Sequence, residues 1–110
     1  MMNEFAVAIR DEFPVSLGHM LIITKRHIAS FFEATTSERL AMFDLMDKAK
    51  STIDAEFQPA AYNVGINDGT AAGQTVPHLH IHLIPRYTGD KADARGGVRW
   101  IFPEKAKYWK

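Results

Sequence analysis

Three histidines occupy alternate positions in His78-Leu79-His80-Ile81-His82-Leu83. Successive side chains of an extended strand point to opposite faces. The spacing therefore predicts three imidazoles on one side, with Leu79, Ile81 and Leu83 on the other, available for burial. Neighbouring rings would stand roughly 6.7 Å apart. Three of the chain's five histidines fall within these five residues, a concentration that a row of merely solvated side chains does not account for. Imidazole offers two chemistries. As a metal ligand the row is poorly arranged: His78 and His82 would stand about 13 Å apart on a straight strand. The chain also has no cysteine, and the nearest downstream carboxylate, Asp90, lies beyond Pro85-Arg86. No metal site is assigned. As a nucleophile, neutral imidazole is competent near pH 7. Adjacent imidazoles disfavour double protonation, so one can stay neutral while its neighbour holds a proton. His80, flanked on both sides, is the expected nucleophile.

The preceding stretch, Asn67-Asp68-Gly69-Thr70-Ala71-Ala72-Gly73-Gln74-Thr75, reads as a loop. Gly69 and Gly73 allow close backbone approach, and loop N–H groups can form a concavity for an anion. Gln74 and Thr75 add neutral donors beside the imidazoles, an arrangement that suits a phosphoryl group.

The elements that must position these residues can be read in outline. Phe5 to Ile9 and His19 to Thr24 read as strands, separated by turn chemistry at Asp11-Glu12-Phe13-Pro14. Thr35 and Glu38 form a capping box that opens a helix running to about Phe57. Leu40, Phe43, Met46, Ile53 and Phe57 follow helical spacing, and Met42, Leu45 and Ala49 widen the stripe. Pro59 ends the helix. Ala61 to Ile66 is a third strand and Val76 to Ile84 the histidine strand, closed by Pro85-Arg86. Pro77 marks an edge or irregular start to that strand. Tyr87 to Gly97 reads as a mobile, charged connection, and Val98 to Phe102 as a short last strand. Strands joined mostly by short turns, with one long helix, predict an α+β fold with an antiparallel sheet. Residues 1–110 are expected to form a single domain.

Thirteen basic and thirteen acidic residues give no net charge, so no long-range field gathers nucleic acid or a membrane surface. The longest apolar run, Met20-Leu21-Ile22-Ile23, is far too short to span a bilayer. Met1-Met2-Asn3-Glu4 lacks the features of a secretory signal, so a cytoplasmic location is expected.

The run Gly73 to Arg86, carrying His78, His80 and His82 between apolar residues, resembles the signature of the histidine triad family. Asp11 to Ile23 is similar to that family's upstream segment, and Lys25-Arg26-His27 continues the match. Arg95-Gly96-Gly97-Val98-Arg99-Trp100 is similar to a bacterial branch described as diadenosine-tetraphosphate hydrolase-like. The resemblance spans nearly the whole chain. It implies an antiparallel sheet of about five strands, a homodimer and a small-molecule nucleotide as partner. It also implies hydrolysis or transfer at the α-phosphate of dinucleoside polyphosphates or nucleoside monophosphate esters, through a covalent nucleotidyl-histidine. Carried over, His80 attacks phosphorus, His82 contacts the phosphate or leaving-group oxygen, and His78 orients and polarises the site. His19 lies near the α-phosphate, Asp11 binds the ribose hydroxyls, and Asn67, Gln74 and Thr75 contact the phosphates. No cofactor is required for the covalent step, and a divalent metal would enter only with a polyphosphate substrate.

Simpler roles stand beside these. Asp11 could form a turn and His19 could close a strand edge. His27 is assigned to structure, Phe5, Ile9 and Phe13 to packing, and Lys25, Arg26 and Arg86 to solvated edges. With few residues before Phe5, the base pocket is expected to be shallow or completed by a partner subunit. Two other readings stay open: a nucleoside phosphoramidase, and a non-enzymatic nucleotide- or metal-binding protein.

Overall fold

The computed structural model describes residues 1–110. Strands β1 (Ala6–Arg10), β2 (Met20–Thr24), β3 (Ala61–Gly65) and β4 (His80–Arg86) form one antiparallel sheet in the order β1-β2-β4-β3. Helix α1 (Thr36–Phe57) joins β2 to β3 and covers one face. The covered face is built from the apolar alternation of three strands: Ala6 and Ala8, Met20 and Ile22, Ile81 and Leu83. From the helix come Met42, Leu45, Ala49 and Ile53. Of the broad stripe read in the sequence, these are the buried residues, with Met46 and Phe57 packed against them. Leu40 and Phe43 remain 59% and 42% exposed.

The helix starts where the sequence places it. Thr35 Oγ1 accepts from the Glu38 backbone N–H, and the Glu38 carboxylate accepts from the Thr35 N–H. The sequence does not announce the third partner. Arg26 lays its guanidinium on both Glu38 oxygens, at 2.8 and 3.0 Å, and is no free edge charge. That fork, with the cap bonds, lowers the Glu38 pKa to about 2. A carboxyl depressed in the folded state stabilises above its ordinary value and loses that contribution as pH falls through the folded one. Glu38→Ala should therefore cost about 1–2 kcal/mol at neutral pH. The gap from wild type in urea unfolding should narrow as pH drops from 4.5 toward 2. At the other end Gln58 caps the helix in the left-handed region (φ 48°), just before Pro59.

Three expectations are corrected. The sheet has four strands. Only an isolated bridge between Met2 and Val7 extends it beyond β1. Val98 to Phe102 is not a strand: Gly96 and Gly97 both take positive φ (94° and 44°), and the chain coils into a 3-10 turn over Gly97–Ile101. The Arg99 guanidinium holds that turn by donating to the Ala106 and Lys105 carbonyls. The histidine strand runs from His80 to Arg86, not from Val76 to Ile84. Pro85 fits within it because β2 pairs with β4 only as far as Leu83, so no N–H is required of Pro85 on that side. Upstream, His78 N–H bonds back to the Val76 carbonyl and Leu79 N–H to the Ile28 carbonyl, which keeps the chain off the sheet ladder until His80.

Candidate active site

Strand β4 is central, with one face in the core and the other open. Leu83 and Ile81 are buried, while His80, His82, Ile84 and Arg86 alternate on the uncovered face. A cavity of about 320 Å³ lies there. Asp11, His19, Asn67, Gln74, Thr75, His80 and His82 all border it, although they come from four separate stretches of chain. Of the eight residues given catalytic or nucleotide-binding roles in the sequence, only His78 lies outside. It occupies an adjoining hollow with Leu21, Ile23 and Val76, on the other side of His80.

Hydrogen-bond partners fix the proton positions of the rings. A carbonyl oxygen can only accept, so a ring nitrogen bonded to one must carry hydrogen. His80 Nδ1 lies 2.7 Å from the His78 carbonyl oxygen and donates to it. In the neutral ring that leaves a lone pair on Nε2. His78 donates from Nε2 to the Thr24 carbonyl at 2.6 Å, and its Nδ1 then accepts from His27 Nδ1 at 3.0 Å. His78 thus contributes a backbone carbonyl, and its ring is held at the back by His27. His19 works in reverse. Its Nδ1 accepts the Val15 N–H at 3.2 Å, which places the proton on Nε2, 3.0 Å from His82 Nδ1. His82 accepts there and keeps its own hydrogen on Nε2.

The electrostatics agree with neutral rings at the second pair. Burial lowers the His19 pKa, and the nearby Asp11 carboxylate opposes this only in part. Burial also lowers that of His82, reinforced by the neighbouring His80 and His19 and again opposed by Asp11. A base whose folded pKa is depressed binds fewer protons folded than unfolded, so stability falls as pH drops below the ordinary histidine value. The urea midpoint should therefore be lower at about pH 5.5 than at about pH 7.5. In His82→Asn that difference should shrink.

The HIT domain family's sequence profile matches residues 1–89. The chain belongs to the HIT domain family. It is 42% identical over 77 residues to the bis(5'-nucleosyl)-tetraphosphatase [asymmetrical] of Schizosaccharomyces pombe, covering 70% of this chain and 42% of that protein. To the AP-4-A phosphorylase of Mycobacterium tuberculosis it is 32% identical over 89 residues, 80% of this chain and 46% of that one. The crystal structure of a HIT family member from Bacillus subtilis superposes with a TM-score of 0.75 at 32% identity, covering all of this chain and 86% of that one. The chain spans less than two thirds of the length of the first curated relatives it matches.

Within this HIT domain several assignments sharpen. Asp11 is a turn-former, its Oδ1 accepting the Phe13 N–H at 2.8 Å, and it also faces His19, with Oδ2 3.4 Å from Nε2. Gln74 borders the cavity, but its amide is engaged by backbone groups of the loop and of the segment after β2. It donates to the Ala29 and Val76 carbonyls and accepts from the Gly69 N–H. Phe13 is not packed in the core: it is 80% exposed at the cavity rim. The first part of the Tyr87–Gly97 connection is tied down by Asp90, which takes the Arg86 guanidinium with both oxygens, and by the Tyr87 hydroxyl on the Leu17 carbonyl. Arg86 also donates to the Asn63 side-chain oxygen.

Asp11, His19 and His82 bring three potential metal-ligating atoms within 4.8 Å of one another. The Val15 N–H occupies His19 Nδ1, so Nε2 already carries a hydrogen and is not free to ligate. As it stands, the cluster is a hydrogen-bond chain. Sequence reasoning gave His27 a structural role without its partner, and missed the support that Asp68 gives the loop. His27 pairs with a residue 51 positions away. Asp68 accepts from Ser30 Oγ and the Phe31 N–H, anchoring the loop to the segment after β2. Only the Asx character of Asp68 hinted at that support.

Proposed function

We propose that this domain hydrolyses or transfers nucleotides at the α-phosphate of dinucleoside polyphosphates, through a nucleotide attached to His80. The observation that carries this reading is the 2.7 Å bond from His80 Nδ1 to the His78 carbonyl. It aims the unprotonated Nε2 into the cavity and supports the positive charge that the ring gains on attack. In the first step Nε2 bonds to phosphorus, the bond from phosphorus to the bridging oxygen breaks, and the remaining nucleotide departs as an anion. Water then attacks phosphorus and the N–P bond breaks. This releases a nucleoside monophosphate and a proton to solvent. His82 presents Nε2–H to the phosphoryl or leaving-group oxygen, while Asp11 serves the ribose, and Asn67, Thr75 and the loop fixed by Gln74 serve the phosphates.

One feature favours phosphate over amine as the leaving group. An amine departs with a proton, which a neutral imidazole supplies poorly, whereas a polyphosphate needs only a hydrogen bond. His82 is held neutral by burial and already receives a hydrogen from His19. The names of the S. pombe and M. tuberculosis relatives point the same way. We further propose that residues 1–110 act as one cytoplasmic domain and pair as a homodimer through the uncovered side of α1, where Leu40, Phe43 and the nearby Phe32 are exposed. No helix is long and apolar enough to cross a membrane. No cofactor is assigned to the covalent step. Metal, if supplied, arrives on the polyphosphate. The test is product identity. Diadenosine tetraphosphate should yield AMP and ATP, with AMP the half that passes through the enzyme. Two molecules of ADP would refute attack at the α-phosphate.

A further inference from the structure

A second cavity, of about 270 Å³, lies beyond His82 and shares Val15, His19, Asn67 and His82 with the first. It does not include His80. Its remaining walls are Asn63, Val64, Gly65, Ile84 and Val98. Along the open face of β4 the order is therefore His80, His82, Ile84, each step roughly 6.7 Å, with one cavity on the nucleophile's side of His82 and the other past it. Phosphoryl transfer requires the attacking and leaving atoms to be roughly in line. A phosphorus reached by His80 and contacted by His82 releases its leaving group away from His80, and the second cavity lies past His82 on the side away from His80.

The walls specify what part of that leaving group fits. No cationic side chain borders the cavity. The next residue on the face, Arg86, is spent on Asp90 and on Asn63 Oδ1. Because a guanidinium only donates, that last bond fixes the Asn63 amide with its NH2 group as the free end. Ile84, Val98 and Val15 supply apolar surface. Phosphates gain little from such a lining, whereas a planar apolar group with polar edges does. Gly65 pairs with His82 across the sheet, and a Cβ there would meet nothing within 4 Å, so the lack of a side chain keeps the cavity open.

The geometry points to this cavity as the seat of the departing nucleotide's nucleobase, making the domain selective for substrates capped by a second nucleoside. This rests on the nucleotidyl-transfer reading above.

Diadenosine tetraphosphate and adenosine 5'-tetraphosphate carry the same phosphates and differ in that cap. Wild type should favour the capped substrate by about tenfold in kcat/KM. Gly65→Val, which suits a strand and has room for its side chain, should bring the two within about twofold and leave turnover of the uncapped substrate in place. Val98→Ser, at a 63% exposed position, should narrow the preference without touching the fold. Equal wild-type rates on the two substrates, or a preference that survives Gly65→Val, would overturn the subsite and leave the hydrolase reading standing. A wild type inactive on both would overturn the hydrolase reading, and the subsite with it.

Discussion

His80→Ala is expected to lower kcat on a dinucleoside polyphosphate by about four orders of magnitude or more, and to abolish the covalent adduct. Nothing else in the cavity can take over. His82 offers Nε2 with its hydrogen on and Nδ1 already accepting from His19, whose Nε2 is the donor of that bond. His19 Nδ1 is filled by the Val15 N–H. The ring of His78 is closed at both nitrogens by Thr24 and His27. His80 Nε2 is thus the one imidazole nitrogen bordering the cavity with an available lone pair. Intact-mass measurement on rapidly quenched samples should find a nucleotidyl increment on wild type and none on His80→Ala. Since His80 is partly exposed and its strand partners are backbone groups, the variant should fold. Adduct formation persisting in a folded His80→Ala protein would relocate the nucleophile.

The second large effect concerns the His19–His82 pair. Removing the donor that His82 presents should cost about 10²- to 10³-fold in kcat, with KM changing less, because the bond matters most when charge develops on the leaving oxygen. His82→Ala should show this, and more steeply for leaving groups of higher pKa. His19→Gln should cost less, since it acts through His82. A glutamine amide can still donate to Nδ1, although it cannot hold the Val15 N–H in the same geometry. The double variant should then be little worse than His82→Ala alone, as expected for groups that work as a unit. Strictly additive losses would mean that His19 contacts the substrate by itself instead of setting the ring of His82.

The parts of this architecture written in local chemistry were the parts legible in the chain. Thr35 and Glu38 are three residues apart and announce the helix start, and both bonds form. The alternation of His80, Ile81, His82 and Leu83 announces a strand with one wet face. What escaped depends on contacts distant in sequence or on backbone sign. The period-two rule places His78 beside His80 only if the strand begins at Val76. The bonds from Leu79 to Ile28 and from His78 to Val76 delay it, and no propensity encodes them. Val98 to Phe102 has the composition of a strand, yet two glycines with positive φ coil it. Arg26 reads as an edge charge because its partner, Glu38, is spent locally on the cap. Of the site, the loop's glycines, Gln74 and Thr75 could be read from residue type, whereas Asp11, His19 and Asn67 were visible only through family likeness, since convergence of four segments on one cavity is a property of the sheet order.

His80 and His82 ride an inner strand of the sheet, whose opposite side is the molecule's interior. That placement joins two measurements usually kept apart. Amides of Ile81 and Leu83, hydrogen-bonded between neighbours and shielded from water, should be among the slowest to exchange for deuterium. Heat inactivation should follow the loss of global structure, with no earlier phase in which a folded protein has already lost its nucleophile.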